Sequence, residues 1–171
     1  RMIPDSLATQ PIFLCVDDTM VAKAGTRFEN VSKLFDHAAH NGSNYLNGHC
    51  FVSIMLCIPV WKNDRVSYLS LPLGYRMWQK KESKLELAAS MIRQVMPEFQ
   101  EKKQVIILCD SWYTKRNLVS IVDEYLNLDL IGNARIDSVM YAPAHTGRRG
   151  RPAKHGKRLS VETDFAFSNE K

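Results

Sequence analysis

The sequence predicts an α/β domain built on a mixed sheet, and three observations carry that prediction. Two apolar runs, residues 12–16 and Val105–Cys109, are each five residues long and rich in β-branched or bulky side chains. That is the pattern of strands buried on both faces. Each run gives way to acid: Asp17, Asp18 and Thr19 follow the first, and Asp110, Ser111 and Trp112 follow the second. Between them, Ser83 and Glu86 form an S-x-x-E capping box ahead of Leu85, Ala88, Met91, Ile92 and Val95, an amphipathic helix spacing.

The other elements follow in order. Residues 1–10 show no periodicity and read as a lead-in. Pro11 opens the first strand. Val31, Leu34, Phe35 and Ala38 fall at helical spacing and predict a short helix. Residues 41–44, Asn-Gly-Ser-Asn, are a turn cluster. Residues 51–60 are strongly apolar, and Lys62 to Arg65 make a short polar connection. Leu69, Leu71 and Leu73 then alternate with Ser70 and Pro72, a strand with Pro72 marking a sheet edge. These three strands predict an antiparallel meander. Pro97 ends or kinks the capped helix. Leu118, Ile121, Val122 and Tyr125 predict a second amphipathic helix, and residues 128–134, with Gly132, a fifth strand. Residues 137–160 hold Pro143, Gly147, Gly150, Pro152 and Gly156 and read as a loop; residues 161–167 begin a further strand or insertion. The predicted order is β-β-β-α-β-α-β, with a core over residues 11–136.

Composition narrows the class. A chain of 171 residues, 45% hydrophobic and 24% charged, fits one globular domain with a real core. No apolar run approaches the ~20 residues of a membrane span, and no signal-peptide pattern opens the sequence. Cys15, Cys50, Cys57 and Cys109 all lie in apolar runs, which reads as buried thiols in a reducing compartment. They lack the paired spacing of a zinc site, as do His37 and His40. The net charge of +5 is not spread evenly: Arg148, Arg149, Arg151, Lys154, Lys157 and Arg158 supply six cations between residues 145 and 158, with no acid. That local basicity points to contact with a polyanion.

If the two acid-ended strands lie side by side, Asp18 and Asp110 face each other across a short gap. Two carboxylates so placed repel unless a proton or cation is shared, and an oxygen-seeking divalent ion such as Mg²⁺ is the usual solution. The bland readings stand beside this. An Asp after a strand is often a turn former. Lys23 and Lys84 read as solvated lysines unless they meet phosphate. Trp112 and Tyr113 read as core aromatics unless they stack on bases. His49 and His155 have no visible partner.

Four stretches carry a family resemblance. They are Val16-Asp17-Asp18-Thr19 with Lys23 and Gly25; Asn47-Gly48-His49; Leu108-Cys109-Asp110-Ser111-Trp112-Tyr113; and Gly150-Arg151-Pro152-Ala153-Lys154-His155-Gly156. From about residue 11 to 161 the chain resembles the DDE transposases of bacterial insertion sequences, in the cut-and-paste group that carries a β-rich insertion before its last catalytic helix. The resemblance implies a ribonuclease H-like fold whose first and fourth strands are neighbours. It implies two divalent ions, Mg²⁺ or Mn²⁺, held by a carboxylate triad that hydrolyses and transfers DNA phosphodiesters. One ion would activate water or a 3′-hydroxyl and the other would stabilise the leaving 3′-oxygen. The first acid is then Asp18, since the family's Asp is commonly followed by Thr, with Asp17 as the alternative; the second is Asp110.

The third acid should be a Glu on a helix, and Glu162, Asp164 and Glu170 are the only late candidates. None sits on a convincing helix, so the chain is expected to be a core fragment, truncated before the last catalytic helix and inactive alone. The resemblance further implies transposon-end and target DNA as partners, a homodimer when complete, no membrane, and a bacterial, nucleoid-associated cytoplasmic setting. Two other functions fit the same residues: a transposase-derived DNA-binding protein without activity, and a ribonuclease H-like nuclease.

Overall fold

The computed structural model describes residues 10–25, 27–36, 44–62, 65–99, 103–135, 137–144, 153–160 and 163–164. The chain divides into two compact units, 1–133 and 134–171.

The first unit holds a six-stranded mixed sheet. Its strands are β1 (Ile12–Ala22), β2 (Ser32–Phe35), β3 (Tyr45–Lys62), β4 (Arg65–Met77), β5 (Val105–Cys109) and β6 (Leu128–Gly132). The long strand β3 pairs antiparallel with β1 along one edge. Gly48 is paired with Ala22 on one side and with Ser32 on the other, and Phe51 likewise with Thr19 and Met77. Therefore β2 and β4 lie end to end along the far edge of β3. On the other side of β1, strands β5 and β6 run parallel to it. A meander leading into parallel strands is the expected mixed sheet, with one extra short strand. Pro72 sits on the outer strand β4, at a register shift opposite Ile54 and Met55. An edge strand with a bulge is where a residue without an N–H does least harm.

Three local expectations need correction. The helix expected around residues 31–38 is instead strand β2 over Ser32–Phe35. Val31, Leu34 and Phe35 have helical spacing, but pairing with β3 wins, helped by an edge-to-face contact of Phe35 with Tyr45 and by Lys33 over the Tyr45 ring. The second amphipathic helix is shorter than its pattern: only Arg116–Val119 (α2) is α-helical, and Ser120–Glu124 tightens into a 3₁₀ turn. Lys115 at its N-cap gives no side-chain cap, so little holds a longer helix. Finally, β1 does not stop at its acids. Thr19, Met20 and Val21 continue the strand against Phe51, Cys50 and His49, so Asp17 and Asp18 lie within it.

Helix α1 (Lys84–Val95) starts at the capping box as expected. The Ser83 side chain accepts from the Glu86 N–H, and the Glu86 carboxylate accepts from the Ser83 N–H. A 3₁₀ turn, Met96–Glu98, closes it at Pro97. Its buried face packs Ala88, Met91 and Ile92 over one face of the sheet, where Ile12, Leu14, Val16, Val52, Ile54, Leu56, Val105 and Ile107 are buried. Leu118 and Ile121 join this core. Each such aliphatic side chain contributes on the order of 1.5–3 kcal/mol by leaving water. The alternation that buries Ile12, Leu14 and Val16 also turns Asp18 toward the helix-covered side and Asp17 toward the other.

The second unit holds a small antiparallel pair, β7 (Met140–Tyr141) with β8 (Arg158–Leu159). The segment read as loop thus contains strand pairing, with Tyr141 stacked on His155 at 4.8 Å. Pro and Gly break regular structure locally but do not forbid two short flanking strands. Arg148, Arg149 and Arg151 lie outside the described residues. So does most of 161–167, where Thr163 and Asp164 are in a turn and a bend.

One glycine couples the sheet to the end of β5. A Cβ on Gly132 would lie 2.4 Å from Thr114 Oγ1 and 3.0 Å from Cys109 Sγ. Thr114 Oγ1 in turn donates to the Asp110 carbonyl at 2.9 Å. Gly132→Ala is expected to cost about 1–3 kcal/mol of stability through overpacking. Urea denaturation measures it, and an unchanged midpoint would mean that Thr114 yields freely.

Candidate functional site

The two acid-ended runs are sheet neighbours. Strand β1 pairs in parallel with β5 from Ile12↔Val105 to Val16↔Cys109. Continuing that register one step sets Asp110 abreast of Asp17. Because β5 ends at Cys109, the Asp110 side chain is set by its own loop rather than by the pleat. Its Oδ1 accepts the N–H of Trp112 at 3.0 Å and of Tyr113 at 3.1 Å, the turn-forming role of the bland reading. Its Oδ2 takes no hydrogen bond from the described residues.

Tyr113 ties this loop to the first acid. The residue is fully buried, and its hydroxyl donates to Asp18 Oδ1 at 3.0 Å. One tyrosine therefore spans the two carboxylates, its amide on Asp110 and its hydroxyl on Asp18. The core reading of Tyr113 holds, but its hydroxyl serves Asp18. Burial, reinforced by the charge of Asp18, pushes that hydroxyl far above the usual tyrosine range, so it stays a donor.

The second oxygen of Asp18 meets a cation. Lys84 Nζ donates to Oδ2 at 2.8 Å, and both side chains are mostly withdrawn from solvent, 18% and 16% exposed. Lys84 is thus not the solvated lysine of the bland reading. The same oxygen accepts the Cys50 thiol at 3.3 Å. Burial, then the neighbouring Asp18, pushes that thiol up to about 11, so it remains a neutral donor near neutral pH. The Lys84 ammonium also lies 4.6 Å from the Trp112 ring centre and 5.7 Å from that of Trp78, two cation–π contacts. Trp112 is half-buried and packs against the core, while Lys115 approaches its ring as well.

The sequence held a signal for Lys84. It is the first residue of a Ser83-capped helix, where the macrodipole disfavours a cation. A lysine kept there has some anion to serve. Other candidates fall elsewhere. Asp17 is exposed on the opposite face, its Oδ1 accepting the Asp18 N–H at 2.8 Å. Lys23 lies over Phe28, and His49 bonds the Glu29 carbonyl at 2.8 Å. Asp164, in the second unit, pairs with Lys157 at 3.0 Å and accepts the Ser160 N–H at 2.9 Å. The hydrogen bond of Ser160, followed by that to Lys157, holds its carboxyl below the usual range. Glu162 and Glu170 lie outside the described residues.

The donor chemistry suits a hard cation. Asp18 offers oxygen, its sulfur neighbour stays protonated, and an ammonium already stands against it. Among the described residues no group of three or more His, Cys, Asp or Glu could hold a metal ion. Asp18 and Asp110, the two carboxylates expected to share an ion, stand on neighbouring elements of the sheet. Lys154, Lys157 and Arg158 are exposed. No helix among the described residues is long and apolar enough to cross a membrane.

Neither curated proteins nor solved structures gave a match to the chain. Residues 1–167 match one family profile, described as DDE superfamily endonuclease. That match spans both acid-bearing strands and nearly the whole chain, and the mixed sheet agrees with the ribonuclease H-like fold expected of such a nuclease. The chain belongs to the DDE superfamily endonucleases.

Proposed function

We propose that the chain is the catalytic-core portion of a DDE transposase, with Asp18 and Asp110 as two acids of the metal-binding triad. The observation that carries this reading is the parallel pairing of β1 with β5, which puts both acid-bearing segments at one place in the sheet. Divalent ions held there, Mg²⁺ or Mn²⁺, supply activation of water or a 3′-hydroxyl and stabilisation of the leaving 3′-oxygen. The chain's own part is to hold and orient. Tyr113 fixes the distance between the two acids, and α1 covers the sheet face on which Asp18 lies. Asp18 is preferred over Asp17 because it is the acid linked to Asp110 through Tyr113 and the one that already meets a cation. The third acid is assigned to none of the described residues. Transposon ends and target DNA are the proposed substrates.

A plasmid-nicking assay in Mg²⁺ tests this. The 171-residue chain alone should leave supercoiled DNA intact. A parent chain that supplies a helical Glu should nick it, and Asp18→Asn or Asp110→Asn in that parent should each lower the rate by at least about 100-fold. Nicking by the 171-residue chain itself would mean that the third acid lies within it. A parent that binds DNA but never cleaves would favour a DNA-binding protein without activity, and cleavage confined to RNA would favour a ribonuclease.

We further propose that the basic segment contacts the DNA backbone. Its six cations include Lys157, already paired with Asp164, so about five to six phosphate contacts are available. Log affinity should then fall with log salt at a slope of about −4.5 to −5.4. Replacing Arg148, Arg149 and Arg151 together by Ala should flatten the slope by up to about 3 and weaken all duplexes alike. Fluorescence-anisotropy titrations at several salt concentrations measure both, and an unchanged slope would place the DNA surface elsewhere.

A further inference from the structure

The contact between Lys84 and Asp18 sits where a metal ligand is proposed, and it has features that a structural ion pair does not need. The ammonium comes from the first residue of a helix, at its positive end, where a cation is disfavoured. It reaches the one carboxylate that Tyr113 links to Asp110. Of the three groups on Asp18, the Tyr113 hydroxyl and the Cys50 thiol are neutral donors that can stay when the carboxylate binds a metal. Only the ammonium repels an incoming divalent ion. It also has somewhere to go: a four-carbon stem carries it, and the Trp112 and Trp78 rings already flank it at 4.6 and 5.7 Å.

We propose that Lys84 is the resident cation of this site, neutralising Asp18 until a divalent ion displaces its ammonium. The inference rests on the reading of Asp18 as a metal ligand and adds an occupant to it. It makes metal entry an exchange of one cation for another. A half-buried carboxylate is then never left without a counter-charge, a state that is costly in a partly desolvated position. The exchange also lowers metal affinity, because each binding event must release the ammonium.

The test is Mn²⁺ binding to the full 171-residue chain, read from the electron-paramagnetic-resonance signal of the free aqua ion. Wild type is compared with Lys84→Gln, Lys84→Arg and Asp18→Asn. Lys84→Gln should bind Mn²⁺ about tenfold more tightly, the size of effect that one nearby charge exerts on a carboxylate. Lys84→Arg keeps the charge and should bind Mn²⁺ less tightly than Lys84→Gln. Asp18→Asn should lose the site. A second readout needs no substitution: Mg²⁺ should change wild-type tryptophan emission as the ammonium moves against Trp112 and Trp78, and the absence of any change overturns the exchange. Unaltered or weaker Mn²⁺ binding by a folded Lys84→Gln, with binding lost in Asp18→Asn, overturns the exchange and leaves Asp18 as a ligand. Wild-type binding by Asp18→Asn overturns both.

Discussion

The arrangement of the site depends on one interaction, the parallel pairing of β1 with β5. Five residue pairs hold it; of their inward members Ile12, Leu14, Val16, Val105 and Ile107 are buried and Cys109 is partly buried. A slip of one residue would turn these apolar groups outward and Asp18 away from α1, so the register is strongly specified. The position of the acids is therefore a consequence of burial. On β1 the pleat decides which of two adjacent carboxylates faces the helix. On β5 the strand stops, and Asp110 is fixed instead by the turn it builds for itself.

Around that pairing the protein solves a charge problem. Asp18 lies on the covered side of the sheet, where an unpaired carboxylate would be expensive. Three donors from three different elements answer it: Lys84 from α1, Tyr113 from the loop after β5, and Cys50 from β3. Such convergence agrees with the role proposed for Asp18, since side chains that bind metal must be held by their neighbours. Asp110 is oriented differently, through two backbone amides of its own turn. Those amides leave its second oxygen without a bond from the described residues, while Asp18 has both oxygens engaged.

How much of this could be read from the sequence follows from the range of the forces involved. The strands, the capped helix and the edge strand with Pro72 were legible, because apolar runs, a capping box and a missing N–H act locally; burial on both faces was not met, since Phe13, Cys15, Ile106 and Leu108 on the other face stay partly exposed. The segment around Val31 to Phe35 was misread because helical spacing and strand pairing compete there, and a partner strand decided. The extent of β1 was misread for a similar reason: polarity rises at Asp17, but antiparallel pairing with Phe51, Cys50 and His49 carries the strand on. The pairing of the two acid-bearing strands was foreseen through the order of elements and the family resemblance. The role of Lys84 was not. It lies 66 residues from Asp18, and only the packing of α1 over the sheet brings the two together.

The central claim is that Asp18 and Asp110 hold a divalent ion between them. The most direct measurement is an anomalous-difference map from crystals soaked in Mn²⁺. The account predicts a peak at coordination distance, about 2 Å, from an oxygen of each carboxylate, with the Lys84 ammonium withdrawn from Asp18. Manganese bound at Asp17 or elsewhere, with the Lys84–Asp18 pair intact, would contradict it.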